Sequence, residues 1–230
     1  MNVVLLHAFP LDSRMWEAQR SALVGHAVHA PDLYDLGSSM EEWGRAILPK
    51  VDGDFAVVGA SMGGYAALAL AGLAPERIRA LVLVGSRADP DDRERLERRA
   101  LTIELIRQGG PAALWEDMRG KLFSEDADPA VVERAQSLAL DRDADGLVRA
   151  VEAIRDRRDT TGVVASLEVP VFVAVGDADP YVPREVAEDL TARAPDGRIA
   201  IYAGGHLPNL EHPEQFNRAL VALLEEVGQA

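Results

Sequence analysis

Phe55-Ala56-Val57-Val58-Gly59-Ala60-Ser61-Met62-Gly63-Gly64, running on into Tyr65-Ala66-Ala67-Leu68-Ala69-Leu70-Ala71, decides the fold. The apolar run 55–58 ending on a glycine reads as a strand buried on both faces. The alanine- and leucine-rich run after Gly64 reads as a helix. Between them stands a serine in the pattern Gly-x-Ser-x-Gly. A serine on so tight a strand-to-helix turn takes a strained backbone, so its neighbours two residues away must be small. Its hydroxyl then points above the C-terminal edge of a sheet. The N–H of Met62, at the helix start, faces the same spot and can bind an oxyanion. The alternative is a glycine-rich turn packed for structural reasons only.

The same alternation extends outward in both directions. Residues 3–6, 28–33, 81–84, 171–175 and 199–202 are further short apolar runs that read as strands. Helical patterns separate them. Asp12 or Ser13 can cap a helix reaching about Val24. Ser39 and Glu42 have capping-box spacing ahead of residues 43–48. Pro183 suits the first turn of a helix to Arg193, and a last helix is expected over 213–227. The expectation is a doubly wound α/β fold with a minimal, mostly parallel six-stranded sheet flanked by helices. Residues 87–165 interrupt the pattern. They hold no strand-like run and read as three or four charged amphipathic helices, over 91–107, 111–122, 129–140 and 145–157. A stretch this long exceeds one crossover, so a helical cap insertion is expected over 87–165, with a core of 1–86 and 166–230. Long crossover helices are the alternative.

Composition limits the partners. The chain has 230 residues, enough for one domain with a real core. Lys plus Arg number 24 and Asp plus Glu 38, a net charge of −14, so nucleic acid and acidic membrane surfaces are repelled on average. Cysteine is absent, which excludes disulfides, thiolate metal sites and a cysteine nucleophile. The longest apolar runs fall far short of a membrane span, and the N-terminus shows no basic leader. A cytoplasmic protein is expected. Oligomeric state is not legible.

A serine hydroxyl needs a base. The histidines are His7, His26, His29, His206 and His212. His206 follows Gly204-Gly205 after the strand 199–202, at the same sheet edge as Ser61, and is the preferred base. His7 ends a strand but enters another loop. A carboxylate must orient the imidazole. Gly176-Asp177-Ala178-Asp179-Pro180 follows the strand 171–175. Asp179 can turn back toward the site, whereas Asp177 is placed to brace the turn. Asp89 is the remaining candidate. The loop His7-Ala8-Phe9-Pro10 can offer the N–H of Phe9 as a second oxyanion donor. Trp115, Met118 and Leu122 form a helical stripe that could face substrate or simply be core.

At these residues the chain resembles the α/β-hydrolase superfamily over nearly its whole length. The matching pieces are residues 7–12, 59–64, 176–179 with Val182-Pro183, and Gly205-His206 with Glu211 and Pro213. Within the superfamily it looks most like small carboxylesterases and 3-oxoadipate enol-lactonase-like hydrolases. The resemblance implies a triad of Ser61, Asp179 and His206, an oxyanion hole from Phe9 and Met62, a helical cap over an acyl pocket, and no cofactor or metal. The implied reaction is hydrolysis of a small-molecule carboxylic ester or lactone through an acyl-enzyme. Three departures stand out. His7-Ala8 replaces the usual His-Gly. The loop Asp32-Leu33-Tyr34-Asp35-Leu36-Gly37-Ser38 departs from the family pattern. The family's first two strands have no counterpart before His7. Haloalkane dehalogenases and epoxide hydrolases, with aspartate at the elbow, fit poorly. Perhydrolases and hydroxynitrile lyases share the serine. A ligand-sensing signalling protein of the same fold, with little turnover, is the rival reading. A carboxylate-bearing enol-lactone would need an arginine in the pocket, from Arg119, Arg142 or Arg149.

Overall fold

A computed structural model describes residues 1–229. Its strands in chain order are β1 (Asn2–Leu6), β2 (Ala27–His29), β3 (Phe55–Ala60), β4 (Ile78–Val84), β5 (Val171–Gly176) and β6 (Gly197–Tyr202). They form one sheet in the spatial order β2-β1-β3-β4-β5-β6, and every pairing is parallel. All strands therefore deliver their following loops to one edge. The order reverses between β1 and β3, which is where open parallel sheets leave a crevice for ligands.

The helices are α1 (Glu17–Ala22), α2 (Met40–Ile47), α3 (Met62–Leu73), α4 (Arg93–Leu122), α5 (Pro129–Leu140), α6 (Ala144–Arg155), α7 (Thr161–Ser166), α8 (Arg184–Arg193), α9 (Pro208–Glu211) and α10 (Pro213–Gly228). The two-residue period of the strands sorts their side chains into two cores. Val4, Leu6, Val57, Leu81, Leu83 and Val173 pack on the side of α2, α3, α7 and α8, with Trp43 and Tyr65. Val3, Leu5, Val58, Val82, Val84 and Phe172 pack on the side of α1 and α10, with Trp16 and Phe216.

Local signals set most boundaries, with three departures. The strand expected over 28–33 stops at His29, because the Asp32 carboxylate accepts the Tyr34 N–H at 3.2 Å and starts a 3-10 turn, Leu33–Asp35. Asp12 does cap the segment after β1, but that segment begins as a 3-10 turn, Ser13–Trp16, before α1. Ser39 caps α2 by accepting the Glu42 N–H at 3.2 Å, while the Glu42 carboxylate takes the Ser38 N–H at 2.7 Å rather than closing the box on Ser39.

Helices α4–α7 lie between β4 and β5. α4 breaks at Gly110, whose φ of 63° suits glycine, just before Pro111. Its arms are 93–109 and 111–122. α7 packs on α3 and α8, in the core layer, so only α4–α6 leave that layer. The inserted stretch is pinned where it leaves and rejoins the core. The Thr160 N–H donates to the Ala88 carbonyl at 2.9 Å. Arg157, 4% exposed, meets the fully buried carboxylate of Asp91 at 2.8 Å and lies 4.3 Å over the Tyr65 ring. Such a pair is worth little against apolar substitutes, but removing one partner strands the other.

Arg157→Met is expected to lower unfolding free energy by about 3 kcal/mol, the low end for a broken buried pair. Arg99 still faces Asp91 at 2.9 Å and limits the loss. Urea unfolding beside the wild type measures it.

Candidate active site

Ser61 stands between β3 and α3 with φ 49° and ψ −113°, the only non-glycine residue at positive φ among the described residues. Such a backbone costs on the order of 1–3 kcal/mol and persists only when its surroundings fix it. Here its N–H donates to the Val84 carbonyl at 2.7 Å, and its carbonyl accepts the Gly64 N–H at 2.9 Å and the Ser86 hydroxyl at 3.0 Å. The flanking glycines are a matter of space. A Cβ on Gly63 would overlap the Leu6 carbonyl, one on Gly59 the Gly63 carbonyl, and one on Gly64 the Ser86 side chain.

The Ser61 hydroxyl lies 2.8 Å from His206 Nε2, and His206 Nδ1 lies 2.8 Å from Asp179 Oδ2. Asp179 Oδ1 is held by the N–H groups of Tyr181 at 2.8 Å and Val182 at 3.1 Å, which aims Oδ2 at the imidazole. His206 is 3% exposed and the Asp179 carboxylate is buried. The Tyr181 ring packs edge-on against the imidazole at 4.9 Å between centroids. The histidine loop is fastened from the inserted helices. The His206 N–H donates to the Leu122 carbonyl at 3.0 Å. Glu211 accepts the Gly205 N–H at 2.7 Å and the Ser124 N–H at 3.1 Å.

Phe9 and Met62 sit on neighbouring turns, because Leu6 at the end of β1 pairs with Gly59 near the end of β3. Met62 is the first residue of α3, so its N–H has no partner within the helix.

The other candidates are engaged elsewhere. His7 is buried; its Nε2 accepts the Leu33 N–H at 2.9 Å and its Nδ1 faces the Ala8 carbonyl at 3.2 Å. His29 Nε2 pairs with Asn2, and His212 stacks on Tyr202. Asp177 accepts the Gly204 N–H at 2.9 Å and braces the turn. Asp89 pairs with Arg87 and Arg95.

The family profile described as "Alpha/beta hydrolase family" matches residues 3–219. The chain belongs to the alpha/beta hydrolase family. Among its relatives is a pimeloyl-[acyl-carrier protein] methyl ester esterase of Aromatoleum aromaticum, 29% identical over 98% of this chain and 97% of the relative. A thermophilic esterase from Thermogutta terrifontis superposes with a TM-score of 0.92 at 31% identity, covering 99% of this chain and 90% of that one. The enol-lactonase of Burkholderia xenovorans LB400 shares the fold, with a TM-score of 0.84 at 23% identity over 97% and 91% of the two chains. The class is thus an esterase-type hydrolase of the α/β-hydrolase fold.

In this hydrolase the stripe 115, 118, 122 divides. Trp115 and Leu122 are buried among Phe123, Ala135 and Leu138, so they are core rather than a substrate wall. Met118 is half-buried and packs against both cores, as does Tyr181. The arginines considered for an acidic substrate are spoken for or turned outward. Arg119 pairs with Glu116 on the surface, Arg149 is exposed, and Arg142 bridges Asp12 and Asp32. Ser86 and Tyr181 were not legible as site residues, because they meet Ser61 and His206 only through tertiary packing. The Asp12–Arg142–Asp32 bridge was hidden for the same reason.

Burial works to raise the Asp89 carboxyl, but hydrogen bonds and charge from Arg87 and Arg95 outweigh it and bring it down to about 2. A carboxyl depressed on folding stabilises the fold above its unfolded value, and that contribution fades as pH falls toward the folded one. The stability gap between wild type and Asp89→Asn is therefore expected to be full above about pH 4 and to close as pH approaches 2. Unfolding curves at stepped pH check this.

Proposed function

We propose that the protein hydrolyses carboxylic esters or lactones of small, uncharged acyl groups through a serine acyl-enzyme. The observation that carries this reading is the unbroken chain from Ser61 through His206 to Asp179, with both links at 2.8 Å. In this reading His206 Nε2 takes the Ser61 proton as Oγ attacks the carbonyl carbon. The carbonyl π electrons move to oxygen, and the N–H groups of Phe9 and Met62 receive the oxyanion. The imidazolium is stabilised by Asp179, which also fixes the tautomer. Collapse expels the alcohol, which takes its proton from His206. Water, deprotonated by the same imidazole, then attacks the acyl-enzyme, and the acid leaves with Ser61 restored.

The preference for uncharged acyl groups rests on where the cations go. Among the described residues, the half-buried or deeper arginines of the inserted helices and their junctions, Arg87, Arg95, Arg99, Arg142, Arg155 and Arg157, all face carboxylates of this chain. An enol-lactone bearing a carboxylate would have to compete for them. A methyl ester, the group named for the Aromatoleum relative, is uncharged at the scissile bond and fits this setting. The outer face of α4 carries the pairs Arg93–Glu97 and Glu94–Arg98, which suits a solvated surface better than a signalling partner's apolar footprint.

Turnover of p-nitrophenyl acetate is expected in the wild type and only residual turnover in Ser61→Ala. A fluorophosphonate should add one adduct mass to the wild type and none to the variant. Equal turnover in both proteins would end the serine reading. Asp179→Asn should keep the fold and lower kcat by roughly 10⁴-fold, because asparagine favours the wrong imidazole tautomer. Steady-state kinetics with the same ester read this.

A further inference from the structure

The loop carrying Phe9 is held at several points. At its start, His7 accepts the Leu33 N–H. Within it, the Ala8 N–H points at Met15 Sδ, 3.2 Å away. At its end, the buried Asp12 carboxylate accepts the Arg14 N–H at 2.9 Å and pairs with the Arg14 guanidinium. One side chain from the inserted helices joins these points. Arg142, just past α5, places Nη1 2.8 Å from Asp32 Oδ2 and Nη2 3.2 Å from Asp12 Oδ2. Its guanidinium lies 5.7 Å from the centre of the Tyr34 ring, and that ring packs 5.1 Å from His7. The neighbouring Asp141 reaches Arg14 at 2.9 Å.

Both carboxylates stay ionised in this setting. Burial works to raise each. At Asp12 the Arg14 hydrogen bonds and at Asp32 the Tyr34 N–H oppose it, with the charge of Arg142 added at both, and the net shift is downward. Two carboxylates brought to one guanidinium repel each other once it is removed.

We propose that Arg142 is a positioning residue: by bridging Asp12 and Asp32 it sets the Phe9 loop beside the Ser61 turn and couples the docking of the inserted helices to the oxyanion geometry. The proposal rests on the serine-hydrolase reading and on Phe9 as an oxyanion donor. Arg142 touches no reacting atom. Its effect passes through the two carboxylates to the loop, so it should act on the transition state rather than on substrate affinity. A guanidinium can serve two carboxylates at once with a fixed fork, and a lysine ammonium reproduces that only in part.

The test is p-nitrophenyl acetate kinetics and melting temperature on wild type, Arg142→Gln, Arg142→Lys and the double variant Arg142→Gln/Asp32→Asn, with Ser61→Ala as background. Arg142→Gln is expected to lower kcat by roughly 10–100-fold, as for a misplaced reacting group, with KM within about twofold. Arg142→Lys should recover part of the loss. The double variant should recover most of it, because only one of the two carboxylates remains charged. Unchanged kcat in Arg142→Gln with a lower melting temperature would overturn the proposal and leave a structural tie. A raised KM at unchanged kcat would overturn it in favour of substrate contact. A loss that the double variant does not relieve would remove the repulsion on which it depends. If Ser61→Ala equals the wild type, the underlying hydrolase reading fails, and that result is separate from every comparison among the Arg142 variants.

Discussion

The backbone of Ser61 is the constraint on which the rest depends. A serine with φ 49° and ψ −113° is tolerated only where the chain around it cannot relax. That is arranged by bringing β1 and β3 side by side in parallel, so that the Leu6 carbonyl presses on Gly63 with no room for a side chain. The same adjacency puts the turn after β1 next to the turn after β3. One close approach thus fixes the serine hydroxyl, the free N–H groups at the start of α3 and the loop that carries Phe9. The sheet order makes it possible: because the chain doubles back between β1 and β3, no helix crosses directly above that junction.

The polar groups around Ser61 are aimed by hydrogen bonds from fixed backbone. Asp179 has one oxygen committed to two N–H groups of its own loop, which leaves the other for His206. Glu211 is shared between the loop of His206 and the end of α4. The large acidic excess of the chain does not gather at Ser61. Many carboxylates pair instead with arginines, and the buried meeting of Asp91 with Arg157 and Arg99, where the inserted stretch leaves and rejoins the core, is the densest of these pairings. Desolvation makes such ties geometrically demanding more than strongly stabilising, so they specify where the inserted helices sit.

What could be read from the sequence was what is encoded locally. The Gly-x-Ser-x-Gly turn, the four apolar central strands, Pro111 after a glycine, and the Asp179 and His206 loops each carry their signal within a few residues. What could not be read depends on partners far along the chain. Trp115 has the spacing of a pocket wall, but it is buried in the core with the Phe123 ring beside it. His7 has the look of a strand-end catalytic residue, yet its ring serves Leu33. Ser86 lies in an unremarkable stretch and still reaches the carbonyl of Ser61. The strand expected over 28–33 was cut short by a side chain, since Asp32 offered the backbone a turn in place of a ladder.

The inserted helices are attached to the two sides of the site by different physics. The arm 111–122 ends in the carbonyl of Leu122 that receives the His206 N–H, and the residue Ser124 just beyond it shares Glu211 with Gly205. Displacing this arm would therefore pull on His206 itself. The arm 93–109 packs Ile103 and Ile106 into the core, and the turn between α5 and α6 is joined to the core loops by ion pairs, Asp141 with Arg14 and Arg142 with Asp32. Partly exposed ion pairs exchange with water at little net cost, whereas a buried hydrogen bond at the imidazole loop does not. The inserted helices are thus held by charge on the side of β1 and β2, where Arg142 spans two carboxylates, and by hydrogen bonds to the histidine loop on the side of β6. The histidine side of the site is fixed through backbone groups, and the side of the Phe9 loop is fixed through charge.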